Sequence, residues 1–142
     1  MRSYGSAFAA VASSLLFFSC GTSEPQGRAC SPSETDAGCA PLYDPTFDEV
    51  FEKTLKPSCA ASGASCHSSR GRQGGLAFED KEESFALITR ENGPIVPGNP
   101  NCSEVVARIV ATSGKVRMPP GRSLDQGEQC SIIQWIANGA KR

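Results

Sequence analysis

Histidine occurs once in this 142-residue chain, at His67, and methionine occurs twice, at the initiator and at Met118. One histidine with cysteines that read as oxidised does not make a convincing zinc set, which needs about four ligands at short spacing. There is no Gly-x-Ser-x-Gly elbow, phosphate loop or paired-carboxylate signature, so hydrolytic and nucleotide-binding chemistry have nothing to rest on. Neither sign of charge dominates: 14 basic against 15 acidic residues leave no basic stripe for nucleic acid and no polybasic membrane patch. No internal repeat is found, and one domain is the expectation for this length.

Cysteine is what the chain does have. Seven cysteines among 14 glycines and 10 prolines indicate an oxidising compartment and a loop-rich fold held by covalent staples. After Arg2 an uncharged apolar run, Ala7 to Phe18, is too short to cross a bilayer but suits the core of a signal peptide, placed at residues 1–19. It ends in a small residue, Ser19, followed by Cys20, which reads as a bacterial lipoprotein signal with Phe17 where leucine is usual. Lipidation of Cys20 would anchor the protein to the cell envelope, as a periplasmic or outer-membrane lipoprotein; cleavage nearby by an ordinary signal peptidase is the alternative. Residues 20–42 are almost without large apolar side chains and read as a disordered tether, in which Cys30 and Cys39 can close a small loop.

The folded domain is expected over 43–140. Phe47, Val50, Phe51 and Leu55 form one apolar stripe, stopped by Pro57. Asp80 with Glu83 has capping-box spacing ahead of a helix to about Arg90. Val105, Val106, Ile109 and Val110 mark a third helix, from Ser103 to Thr112 before Gly114. A second capping-box pattern, Ser123 to Gln126, opens a last helix to Gly139. The fold class is therefore all-α: about four short helices with long loops and a thin core, a type that generally needs disulfides, a metal or a cofactor.

The chemistry gathers at Cys66-His67. Covalent haem attachment needs thiols to add across vinyl groups, and a histidine directly after the last thiol falls under the iron. A methionine thioether commonly takes the opposite face, and Met118 precedes Pro119-Pro120, which holds its loop stiff. Filling a core gap is the plainer role for a methionine, and lying on the surface the plainer one for a lone histidine.

The order of Cys66-His67, Gly74-Gly75-Leu76, Pro97-Gly98-Asn99-Pro100 with Ser103, Met118-Pro119-Pro120 and Trp135 to Ala140 resembles the planctomycete-type cytochrome c domains of exported bacterial proteins. The resemblance covers roughly Thr46 to Ala140. It implies a cytochrome c-like fold binding haem c, with His67 the proximal and Met118 the distal iron ligand, carrying single electrons to redox partners it does not name. An electron carrier fits better than an enzyme, which would need an open iron site. The departure is the spacer: six residues, Ala60 to Ser65, separate Cys59 from Cys66 where two are usual. A longer loop can bulge at modest entropic cost, or Cys66 can attach haem alone.

If haem takes Cys59 and Cys66, the natural pairs are Cys30 with Cys39 and Cys102 with Cys130; if not, Cys59 with Cys66 is a third bridge. The latter outcome would leave a haem-free, disulfide-stabilised cytochrome-like lipoprotein with a binding or structural role.

Overall fold

Thr46 opens α1, Phe47–Val50, by accepting the Glu49 N–H on its Oγ1 at 3.4 Å. In the computed structural model, which describes residues 30, 35–60, 66–112 and 117–142, the chain then widens into a π-helical segment, Phe51–Ala60. The expected signal peptide, the lipidated Cys20 and most of the tether lie outside the described residues. Pro57, expected to end the helix, lies within the π-segment instead. Proline breaks an α-helix partly because its ring strikes the carbonyl four residues back, and the wider π-turn alters that spacing.

The remaining helices keep the expected order with shifted ends. Asp80 Oδ1 accepts the Glu83 N–H at 2.8 Å and starts α2, Lys81–Thr89. The Glu83 carboxylate does not return the bond but pairs with Arg72 at 2.7 Å. Helix α3, Glu104–Val110, stops two residues short of Thr112. Ser103 at its start spends its hydroxyl on the preceding turn, accepting from Val96 N–H at 2.9 Å and donating to the Asn99 carbonyl at 2.9 Å. Helix α4, Gln126–Ala137, begins at Asp125 and not at Ser123. Asp125 Oδ1 accepts the Gly127 N–H at 2.7 Å, and Glu128 Oε2 accepts the Asp125 N–H at 2.9 Å. Only from Asp125 does the third residue onward carry a carboxylate able to answer the cap.

Among the described residues the fold is all-α, four helices without a strand, joined by 3₁₀ turns at Gln73–Gly75 and Pro100–Cys102. Phe47 stands at the centre of the core. Its ring lies 4.9 Å from Phe85 edge-on and 5.5 Å from Trp135, so α1, α2 and α4 meet on one side chain. Val106 and Ile109 bring in α3, and Ile88, Ile132 and Ile136 complete the buried cluster. The Trp135 indole N–H donates to the Lys141 carbonyl at 2.7 Å, while Arg142 pairs with Glu82 and lies over the Phe85 ring. These contacts fasten the C-terminal residues across α2 and α4.

The four cysteines at 30, 39, 102 and 130 are oxidised, but in the crossed pairing Cys30–Cys102 and Cys39–Cys130. The pairs Cys30 with Cys39 and Cys102 with Cys130 do not form. The reason is the course of the chain ahead of Tyr43. The Gln134 amide donates to the carbonyls of Ala37 at 3.3 Å and Cys39 at 2.7 Å. Leu42 N–H reaches Gly127 O at 3.0 Å and Ser131 Oγ at 3.1 Å. Thr35 bonds Asn101, next to Cys102. The described part of the expected tether is thus a strap along α4, and the folded unit extends upstream of residue 43. At Gly127 the fit leaves no room for a side chain, since a Cβ there would stand 2.9 Å from that of Leu42.

Candidate functional site

His67 sits on a loop that closes on itself between the π-segment and α2. Phe78 N–H donates to the His67 carbonyl at 2.8 Å, and Gln73 N–H to the Cys66 carbonyl at 3.2 Å. Glu79 Oε2 accepts the Ser69 N–H at 2.7 Å, and the Ser69 hydroxyl first, with this N–H second, holds the carboxyl below its ordinary pKa. Positive φ at Gly74 (64°) and Gly75 (72°) turns the chain tightly enough to face the Gln73 carbonyl back towards the histidine. Nδ1 of His67 lies 2.9 Å from that carbonyl oxygen. A carbonyl can only accept, so Nδ1 carries the proton and Nε2 keeps its lone pair. Burial pushes the His67 pKa below its ordinary value, which also favours the neutral ring.

The long spacer does not separate the two halves of the cysteine motif. His67 N–H donates to the Cys59 carbonyl at 3.3 Å. In a Cys-x2-Cys-His turn the same two groups stand four residues apart, the interval of one α-helical hydrogen bond. Here the same bond closes over eight, so the ends of the loop meet despite the added residues.

Cys59 and Cys66 are the two described cysteines outside the disulfides, and they are not bonded to each other. Burial against the core pushes the Cys59 thiol up to about 12, with Glu128 adding to the rise and Arg122 opposing it. Tyr43, brought here by the strap, is likewise raised to about 12 by burial. Its hydroxyl meets Thr54 Oγ1, which in turn donates to Glu128 Oε1 at 3.2 Å.

Met118 is half-buried and is tied to α3 through its N–H, which donates to the Arg108 carbonyl at 2.9 Å. No hydrogen bond joins it to His67. Arg122, four residues further on, is near enough to Cys59 for its charge to oppose the rise of that thiol's pKa.

Sequence reasoning did not single out Gln73, Phe78, Tyr43, Thr54, Glu128 or Arg122. The glycine pair after Gln73 is the one sequence signal of a tight turn there.

The donor set fits a covalently attached haem: two reduced thiols, an imidazole with its Nδ1 already engaged, and a separate thioether. It does not resemble a bare metal-ion centre, and no group of three or more His, Cys, Asp or Glu side chains able to hold an ion is found among the described residues.

The described residues thus form a small all-α, disulfide-stapled domain that presents a Cys-His loop. In the comparison with known families, residues 64–122 match the model of the Planctomycete cytochrome C family, so this part of the chain is similar to planctomycete-type cytochrome c domains. The matched span holds Cys66, His67 and Met118 and begins after Cys59. No curated protein and no solved structure matches.

Proposed function

We propose that the protein is an exported c-type cytochrome that carries single electrons. In this reading Cys66, with Cys59, would hold haem c by thioether bonds, and His67 and Met118 would be the ligands of its iron. A haem bound there would supply a one-electron iron couple. The chain's own contribution is to keep Nε2 of His67 unprotonated and directed by the Nδ1–H bond to Gln73, and to exclude water through the packed side chains behind the loop.

The observation that carries this reading is the joint geometry at His67. Its Nδ1 is spent on a carbonyl while its backbone N–H draws Cys59 to the same loop as Cys66. The two disulfides support an oxidising compartment, in keeping with export. A lipid on Cys20 would place the domain at the periplasmic or outer-membrane surface. No helix among the described residues is long and apolar enough to cross a membrane.

The test is the absorption spectrum and intact mass of protein expressed with a haem-attachment system. A Soret band and an added porphyrin mass are expected; absence of both would overturn the reading.

The six-residue spacer favours one competitor, a haem-free relative with a binding or structural role at the cell surface. Mapping the thiols separates the two: a Cys59–Cys66 disulfide in the purified protein supports the competitor, and thioether-modified cysteines exclude it.

A further inference from the structure

We propose that Phe78 is a positioning residue for His67, fixing the plane of its imidazole. The inference rests on the haem reading above for its purpose but on independent geometry for its substance. The bond from Nδ1 to Gln73 O restrains rotation of the ring about Cβ–Cγ, but a single hydrogen bond tolerates a range of ring tilts. The Phe78 ring supplies the second constraint. Its centroid lies 5.3 Å from that of the imidazole, with the planes inclined at 51°.

Phe78 is itself immobilised. It is 3% exposed, packed in the hydrophobic cluster, and its N–H is bonded to the carbonyl of the residue it orients. Backbone and ring thus act on the same histidine. Ala77 and Leu76, equally apolar and buried beside it, carry no ring and give no such contact. An imidazole plane set this way determines which iron d orbital the ligand overlaps, a property that optical spectra barely register and that ferric EPR reads directly.

The experiment compares the wild-type holoprotein with Phe78→Leu and Phe78→Ala. Leucine fills most of the volume without a ring, so Phe78→Leu is expected to keep the Soret band while shifting and broadening the largest g value. Phe78→Ala should show the same EPR change with a larger loss of thermal stability. An unchanged g tensor in Phe78→Leu overturns the proposal, since Phe78 would then act through volume alone.

Failure of the wild type to acquire haem would overturn the haem reading instead. The positioning claim is then judged on the haem-free protein by NMR. Cross-peaks between the His67 and Phe78 rings, a single His67 rotamer and its loss in Phe78→Leu are expected; absence of the cross-peaks overturns it.

Discussion

Thr54 carries the polarity of the buried cluster beside the cysteine loop. Its hydroxyl has one proton, given to the Glu128 carboxylate, so it must accept from Tyr43. Tyr43 and Cys59, next to this chain, are both held protonated up to about 12, against ordinary values of 10.0 and 9.0. Between those limits the folded protein retains protons that the unfolded chain releases, so stability is full below about pH 9 and is lost as pH rises towards 12. Each group contributes a slope of at most about 1.4 kcal/mol per pH unit. Urea unfolding of the haem-free protein from pH 8 to 12 should show this decline. It should be shallower in Tyr43→Phe, and shallower again once Cys59 is in a thioether, which does not titrate. At this scale the sequence was informative where chemistry lives in residue identity: Cys66, His67 and Met118 stand out by type and spacing. Gln73 acts through a backbone carbonyl, which every residue has, and Phe78 through a contact that exists only once the loop has closed.

Apolar stripes mark α1 and α3, because those stripes are also their core-facing sides, and capping-box spacings mark α2 and α4. Helix ends were less legible. They depend on which of several eligible polar residues meets a free N–H, and on the strain a proline feels in the helix type actually formed. Pro57 reads as a stop for an α-helix but falls inside a π-segment that continues to Ala60, and this continuation delivers Cys59 to the loop of His67. The start of α4 offers a direct check. Ser123 and Asp125 are both exposed, and only Asp125 caps. Asp125→Ala should therefore cost about 1 kcal/mol in urea unfolding, whereas Ser123→Ala should leave the midpoint close to wild type. The reverse order would restore the earlier cap.

Closing disulfides over short sequence distances was a reasonable expectation from loop entropy, yet the crossed pairing constrains far more of the chain. The two bridges span separations of 72 and 91 residues. In the chain-entropy model each, taken alone, is worth about 4.5 kcal/mol, against about 3.6 for a Cys102–Cys130 loop. Because the loops overlap, the two values do not add. What sequence could not reveal is the docking of the strap on α4. That docking rests on Gln134, Ser131 and the bare backbone at Gly127, none of which signals a partner almost a hundred positions upstream.

The strap makes residue 43 a poor place to begin the domain. A chain of 43–142 would lose both bridges, the Gln134 bonds to the Ala37 and Cys39 carbonyls and the Leu42 N–H bonds to Ser131 and Gly127, and would leave Cys102 and Cys130 as thiols. Domains of this kind are stable by about 5–15 kcal/mol in all, so a loss of 4 kcal/mol or more is a large share. We expect 43–142 to unfold at a much lower urea concentration than 30–142, and reduction of 30–142 to remove most of the difference. Equal midpoints for the two oxidised chains would show that the strap only rests on the domain. A large difference that survives reduction would assign the stability to the strap's hydrogen bonds and packing instead of its bridges.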